Sequence, residues 1–209
     1  MKKFELTTNT KMFLGKKLFQ IKALISFGDV EAGELGGYIE KEENLSQAGN
    51  AWVTDNAWVT DNACVSGDAW VSDNTCVSGN ARVSDNARVS DNARVSDNAR
   101  VSDNTCVSGD ACVSGDAWVS GNARVSGDAW VSGNACYTTI KGFGREYRTT
   151  TFFKCKDGKV RVRCGCFYGD LKEFRAIVKK THGESKKAKE YLMIADLMEL
   201  HFEENENDK

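Results

Sequence analysis

The sequence predicts a mainly β protein: a parallel β-solenoid of 18-residue, three-sided coils, about five turns long, between a small β cap and a small α+β module. Three observations predict it. Between Ala51 and Asn134 one hexapeptide recurs fourteen times without insertion or deletion, a period that marks a repeat architecture. Within the unit, written a-x-V-s-g-n, the first four residues alternate as a short strand does. The last two places are Asp-Asn, Gly-Asn or Gly-Asp, residues suited to tight bends with positive φ.

Alternation places the first residue (Ala or Thr) and the third (always Val) on one side, and the variable second residue with Ser/Thr at the fourth on the other. The small residue and the valine must face the interior. A strand this short, followed by a corner, cannot pair with its sequence neighbour, so it pairs with the equivalent strand one coil later. Three hexads per coil give 18 residues. LSQAGN at 45–50 reads as a degenerate first unit, and five coils span about 24 Å at ~4.8 Å per strand. The outward second places then form three ladders: Trp52, Trp70, Arg88, Cys106, Arg124; Trp58, Cys76, Arg94, Cys112, Trp130; and Cys64, Arg82, Arg100, Trp118, Cys136. Trp52, Trp70, Arg88, Arg100 and Trp118 are the candidate interaction ladder, because Trp and Arg dominate binding hot spots. Cation–π contacts are expected between Trp70 and Arg88 and between Arg100 and Trp118. Asp85 and Asp103 are expected to neutralise Arg82 and Arg100.

Residues 1–44 form the expected N-terminal cap, since an open solenoid end exposes strand edges and an apolar cross-section. FLGKKLFQIKALISF reads as strands around Gly15-Lys16-Lys17, and Gly33, Gly36 and Gly37 suit the turns leading into the first coil. The GELGG run is no phosphate loop, because no strand–GxGxxG–helix context surrounds it. Residues 45–137 are the solenoid and 138–209 the α+β module. In the module, 147–156 and 159–167 flank Asp157-Gly158 as a type I′ hairpin. Asp170 and Glu173 form a capping box for a helix over 171–181, and Ser185 caps a second over 186–202. Its apolar face is expected to carry Ala188, Tyr191, Leu192, Ile194, Ala195, Leu197 and Met198. The module is therefore read as ββαα.

The hexapeptides, together with GDVEAGELGGYIEKEENLSQAGNAWV, GCFYGDLKEFRAIVKKTHG and AKEYLMIADLM, resemble bacterial and bacteriophage hexapeptide-repeat β-helix proteins. That family is labelled as transferases or as polymer-forming β-helix proteins. The resemblance implies a left-handed parallel β-helix with a non-repeat cap, a phage-type C-terminal module and trimeric assembly. A right-handed solenoid with another coil length is the structural alternative. The transferase label follows the fold, and fold alone does not carry function.

The net charge of −2 is unevenly spread: 0 over residues 1–50, −6 over 51–137 and +4 over 138–209. Bulk nucleic-acid binding is not expected from such a balance, and the C-terminal module is the expected holder of an anion. No apolar run reaches membrane-spanning length, and Met1-Lys2-Lys3-Phe4 opens no signal peptide, so a cytoplasmic protein with reduced thiols is expected. Acyl transfer on this fold needs a histidine base near the prism. His182 and His201 both lie outside it, which argues against an enzyme. Cys155, Cys164, Cys166 and His182 lack a zinc-knuckle spacing, so no metal and no cofactor is expected. Arg145, Arg148, Arg161 and Arg163, with Lys141 and Tyr147, cluster where prism and module meet. Guanidinium groups beside an aromatic suit a phosphate-bearing ligand or an acidic protein surface. The expected function is a non-enzymatic binding scaffold, with a phage accessory or counter-defence protein as its specific form. It would sequester a nucleotide-like anion or block a host protein. A hexapeptide-type acyltransferase and a structural oligomeric spacer are the alternatives.

Overall fold

The computed structural model describes residues 2–144 and 146–203. The repeats form a parallel β-solenoid with three walls. Wall one stacks β4 (Trp52–Val53), β7 (Trp70–Val71), β10 (Arg88–Val89), β13 (Cys106–Val107) and β16 (Arg124–Val125). Wall two stacks β5 (Trp58–Val59), β8 (Cys76–Val77), β11 (Arg94–Val95), β14 (Cys112–Val113) and β17 (Trp130–Val131). Wall three stacks β6 (Cys64–Val65), β9 (Arg82–Val83), β12 (Arg100–Val101) and β15 (Trp118–Val119). Pairing is parallel at the expected 18-residue offset, as in Trp52↔Trp70 and Arg100↔Trp118. Every repeat valine is fully buried, and alanines fill the gaps between them. Cys136 leaves its ladder: a 3-10 turn over Asn134–Cys136 ends wall three.

At every corner but the last, where Gly133 is extended, the fifth residue of the unit takes positive φ, whether Asp (Asp55, Asp61, Asp73, Asp85, Asp91, Asp97, Asp103) or Gly. Aspartate tolerates this because its carboxylate accepts the amide N–H at the same corner one coil on, as in Asp91 Oδ2 from Gly109 at 2.8 Å and Asp97 Oδ2 from Gly115 at 3.1 Å. The sixth residues form side-chain ladders, for example Asn62 to Asn80 to Asn98 to Asp116.

The coil-to-coil hydrogen bonds are polar: the N–H of one coil donates to the carbonyl of the next, as in Trp52 to Ala69 at 2.9 Å. The first coil therefore leaves carbonyls unpaired and the last coil leaves N–H groups unpaired, and both must be satisfied. The N-terminal region supplies donors. Lys3 Nζ bonds Ala51 O at 2.9 Å and Asn44 Nδ2 bonds Ala63 O at 2.8 Å. The C-terminal region supplies acceptors. Thr151 Oγ1 takes the Arg124 N–H at 3.0 Å and Asn134 Oδ1 takes that of Trp118 at 2.8 Å.

The cap is an antiparallel sheet of β1 (Phe4–Phe13), β2 (Lys16–Ala23) and β3 (Leu35–Ile39). Strand β3 also pairs parallel with β5, so the cap continues wall two and parallel pairing begins before residue 45. Leu45 bridges Val65, taking a valine place rather than the first place of a unit. Gly36 and Gly37 are required by close approach: a Cβ on Gly36 would lie 2.5 Å from Val53 O, and one on Gly37 2.6 Å from Ala57 O. Lys16 ties the cap to the corner through ion pairs with Asp61 and Glu40.

The C-terminal module has more strands than the ββαα expectation. β18 (Tyr137–Ile140), β19 (Thr150–Lys154), β20 (Val160–Cys164) and β21 (Phe167–Asp170) form an antiparallel sheet in that order. Helices α1 (Leu171–His182) and α2 (Lys186–Phe202) follow. The capping box of Asp170 with Glu173 and the Ser185 cap are present. Leu197, expected on the buried face of α2, is exposed. The hairpin turn is not type I′. Gly158 has φ +75° while Asp157 is not among the positive-φ residues, and Gly158 N donates to Cys155 O at 2.9 Å. That is a type I turn followed by a glycine bulge, the arrangement a three-residue loop (156–158) between the paired Cys155 and Lys159 favours. Strand alternation in β19 joins the two cores: Phe153 packs into the solenoid core together with Cys155, while Phe152 faces the helices. The β19–β20 hairpin therefore plugs the open end of the prism.

Candidate functional site

The junction holds a cavity of about 660 Å³ lined by Asn122, Arg124, Lys141, Tyr147, Arg148, Thr149, Arg163, Gly165 and Cys166. Three segments converge there. The last rung of wall one brings Arg124, whose backbone is held by Thr151. The connection from β18 to β19 brings Lys141, Tyr147 and Arg148. Strand β20 and its two-residue turn into β21 bring Arg163, Gly165 and Cys166. Gly165 has φ +61°, and a Cβ there would meet Arg148 Nη1 at 3.0 Å, so the glycine gives the guanidinium room. Tyr147 is 70% exposed and itself takes φ +49°.

The described lining residues carry four cationic side chains and no carboxylate. Of the two corners flanking Arg124, the one before it, Gly121-Asn122, carries no carboxylate where Asp85 and Asp103 stand in earlier coils, while the one after it, Gly127-Asp128, keeps one. Chemically, such an arrangement is suited to an anion, through paired guanidinium hydrogen bonds and a field concentrated in a concave space.

The structure thus brings together Lys141, Tyr147, Arg148 and Arg163 of the expected site; Arg145 lies outside the described residues. Arg161 is elsewhere. It points along the same strand face as Arg163 but turns back to Asp157, with Nη2 to Oδ2 at 2.8 Å. The Lys159 amide, and with it the Arg161 guanidinium, hold the Asp157 carboxyl below its ordinary range. Arg124 and Cys166 were missed by the sequence reading of this site. In the sequence Arg124 reads only as the last outward rung of its ladder, and the signal lies in that position: the end of a wall abuts whatever follows the repeats.

The five candidate ladder residues stand on two walls, in the register the sequence predicts: Trp52, Trp70 and Arg88 on wall one, Arg100 and Trp118 on wall three. Trp52 is fully buried by the cap, edge-on to Phe27 at 5.4 Å between ring centroids. Trp70 is half-buried. Among the described residues the cation–π contacts lie in the cap, at Lys3–Phe27, Lys11–Tyr38 and Lys17–Phe19. They do not join the ladder pairs: the Trp118 ring turns its Nε1 to Ser102 Oγ at 3.2 Å.

The remaining chemistry-bearing groups are dispersed. All eight cysteines are free thiols. Cys155 is buried against the solenoid end, where burial pushes its thiol up to about 11. Cys164 accepts from Thr150 Oγ1 at 3.2 Å, and His182 stacks on Tyr191. Among the described residues no group of three or more His, Cys, Asp or Glu side chains is arranged to hold a metal ion. Among the described residues no helix is long and apolar enough to cross a membrane.

Comparison with known proteins agrees with the repeat architecture. No curated protein matches the chain. The YdcK beta solenoid repeat matches residues 77–91, 81–96, 87–103, 93–109 and 117–133, all within the hexapeptide region. With the three-walled fold, this makes the chain a β-solenoid repeat protein.

Proposed function

We propose that the protein is a non-enzymatic binding scaffold that holds a phosphate-bearing, nucleotide-like anion in the junction cavity. One observation carries this reading: Arg124, Lys141, Arg148 and Arg163 converge on one cavity with Tyr147 at its rim. Arginine forks match phosphate oxygens in pairs, and an exposed tyrosine ring offers a stacking face for a base. The volume lies within the range of small-molecule sites. The solenoid contributes rigidity and one cation; the module contributes the rest. The resemblance of the cap and C-terminal segments to bacteriophage proteins favours sequestration of a nucleotide signal inside the host cell as the biological form.

The test is isothermal titration of the full-length protein with ADP and with inorganic pyrophosphate, at low and at high salt. Binding that weakens with salt and falls at least about tenfold in Arg163→Ala and in Arg148→Ala supports the reading. Absence of binding to both probes, or affinity unchanged from the parent in both variants, overturns it.

A further inference from the structure

A second cleft lies on a different wall and has a different chemistry. It measures about 320 Å³ and is lined by Trp118, Ser120, Asn134, Tyr137, Thr138 and Thr139. None of these side chains is charged, which sets the cleft apart from the cationic cavity. Trp118 is 53% exposed, yet its polar atoms are all engaged within the protein. Its amide donates to Asn134 Oδ1 at 2.8 Å, its carbonyl accepts from Tyr137 Oη at 2.5 Å, and its indole N–H donates to Ser102 Oγ at 3.2 Å. The backbone is thus held at two points and the ring at one, through Nε1, so that the side chain offers only its π surface.

The cleft is lined beside it by the hydroxyl-bearing residues Ser120, Thr138 and Thr139 and by Asn134. With Oδ1 committed to Trp118, the Asn134 amide has its Nδ2 donors to offer a ligand. A fixed aromatic face beside neutral donors and acceptors at its edge matches one ligand class. A pyranose ring presents a patch of C–H bonds on its flat side and hydroxyls around its rim. The C–H patch desolvates against the indole, whose face is electron-rich. The hydroxyls exchange water for the surrounding hydroxyls and amide. An anion finds no cation among the lining residues, and a purely apolar ligand would strand those polar groups without partners. Because the ring is already immobilised, little conformational entropy is lost on binding.

We propose that this cleft is a binding site for a neutral sugar ring, with Trp118 as its stacking platform. The site is independent of the anion cavity: it shares no lining residue with it. Trp130, 50% exposed on wall two, serves as the internal control, since it lies outside this cleft.

Two measurements on the full-length protein test the proposal. The first is a glycan array carrying neutral hexose and N-acetylhexosamine oligosaccharides beside sialylated and sulfated ones. Binding to neutral glycans is expected, with signal at least about tenfold lower in Trp118→Ala and retained in Trp130→Ala. The second needs no variant. The best neutral oligosaccharide, at millimolar concentration, should shield Trp118 but not Trp130 from N-bromosuccinimide oxidation, as read by peptide mass mapping. Failure to bind any neutral glycan, binding of anionic glycans alone, unchanged binding in Trp118→Ala, or equal protection of both tryptophans each overturns the proposal.

Discussion

Asp103 and Gly121 stand at the same corner of successive coils, and Asp103 Oδ2 accepts the Gly121 amide N–H at 2.8 Å. Both residues have positive φ, +59° and +73°. The aspartate therefore holds a conformation that a side chain disfavours, and the hydrogen bond to the next coil offsets that cost. Replacing it separates the two effects. Asp103→Ala keeps the Cβ and loses the acceptor, so a loss of about 1–3 kcal/mol is expected. Asp103→Gly also loses the acceptor but relieves the backbone, so its loss should be less than half as large. Urea denaturation of the two variants measures the difference; equal losses would show that backbone strain contributes nothing at this corner and that the lost acceptor accounts for the whole effect.

This corner was legible in outline because Asp, Asn and Gly at fixed places announce a bend, and the 18-residue register follows from strict periodicity. What was not legible depends on contacts outside the period. Trp52 occupies the same repeat place as Trp130, yet it is buried, because Phe27 and the side-chain-free Gly36 bring the cap over it. Nothing local distinguishes the two tryptophans. The strands over 137–140 and 167–170 are four residues each and lack an alternating apolar pattern, so they exist by pairing with β19 and β20. The cationic cavity was half legible: the basic cluster was visible in the module, whereas Arg124 enters only because the prism ends beside it.

Thr75 supplies a stability test inside the core. It is fully buried, and its Oγ1 has no hydrogen-bond partner. Twelve of the fourteen units carry Ala at this place, so no hydroxyl is needed there. Thr75→Val keeps the shape and removes the unpaired group, and a gain of about 1–2 kcal/mol is expected. A destabilised variant would mean that the hydroxyl is satisfied in solution, and differential scanning calorimetry decides the sign.

The cap hairpin invites a second stabilising change. Leu14 and Gly15 form its two-residue turn, both with positive φ, +47° and +79°. A type I′ turn has this requirement and favours Asn at its first place. Leu14 is 86% exposed, so its side chain contributes little packing. Leu14→Asn is expected to stabilise the cap by about 1 kcal/mol, visible as slower amide exchange in β1 and β2.

Alkaline conditions should loosen the C-terminal module. Burial raises the Cys155 thiol from 9.0 to about 11 and, as the largest cause, the Tyr191 phenol from 10.0 to about 12. Both groups hold their protons more tightly when folded. Their contribution is complete below about pH 9 and is lost as pH rises through 11 and 12. Lys3 runs the other way: burial lowers it from 10.5 to about 8, so its contribution to cap stability grows between those values. Melting followed by helix ellipticity should therefore fall from pH 9 upward, and Cys155→Ala should flatten the first part of that fall. An unchanged slope in the variant would remove Cys155 from the explanation.

Arg161 and Arg163 differ by two places on one strand and should divide structure from binding. Arg161 is paired with Asp157 and has a buried Nη1 without a partner, so its removal deletes an ion pair across the hairpin turn that plugs the prism. Arg163 lines the cavity and faces whatever anion enters. Arg161→Ala is accordingly expected to lower the melting temperature of the module slightly, the pair being exposed at Asp157, and to leave pyrophosphate affinity within about twofold of the parent, since Arg161 does not line the cavity. Arg163→Ala is expected to leave the melt unchanged and to weaken pyrophosphate binding by about tenfold or more. Calorimetry and titration on the same two proteins read both axes. If the two variants behave alike on either axis, the division between a structural and a ligand-facing arginine fails, and with it the assignment of Arg163 to the site.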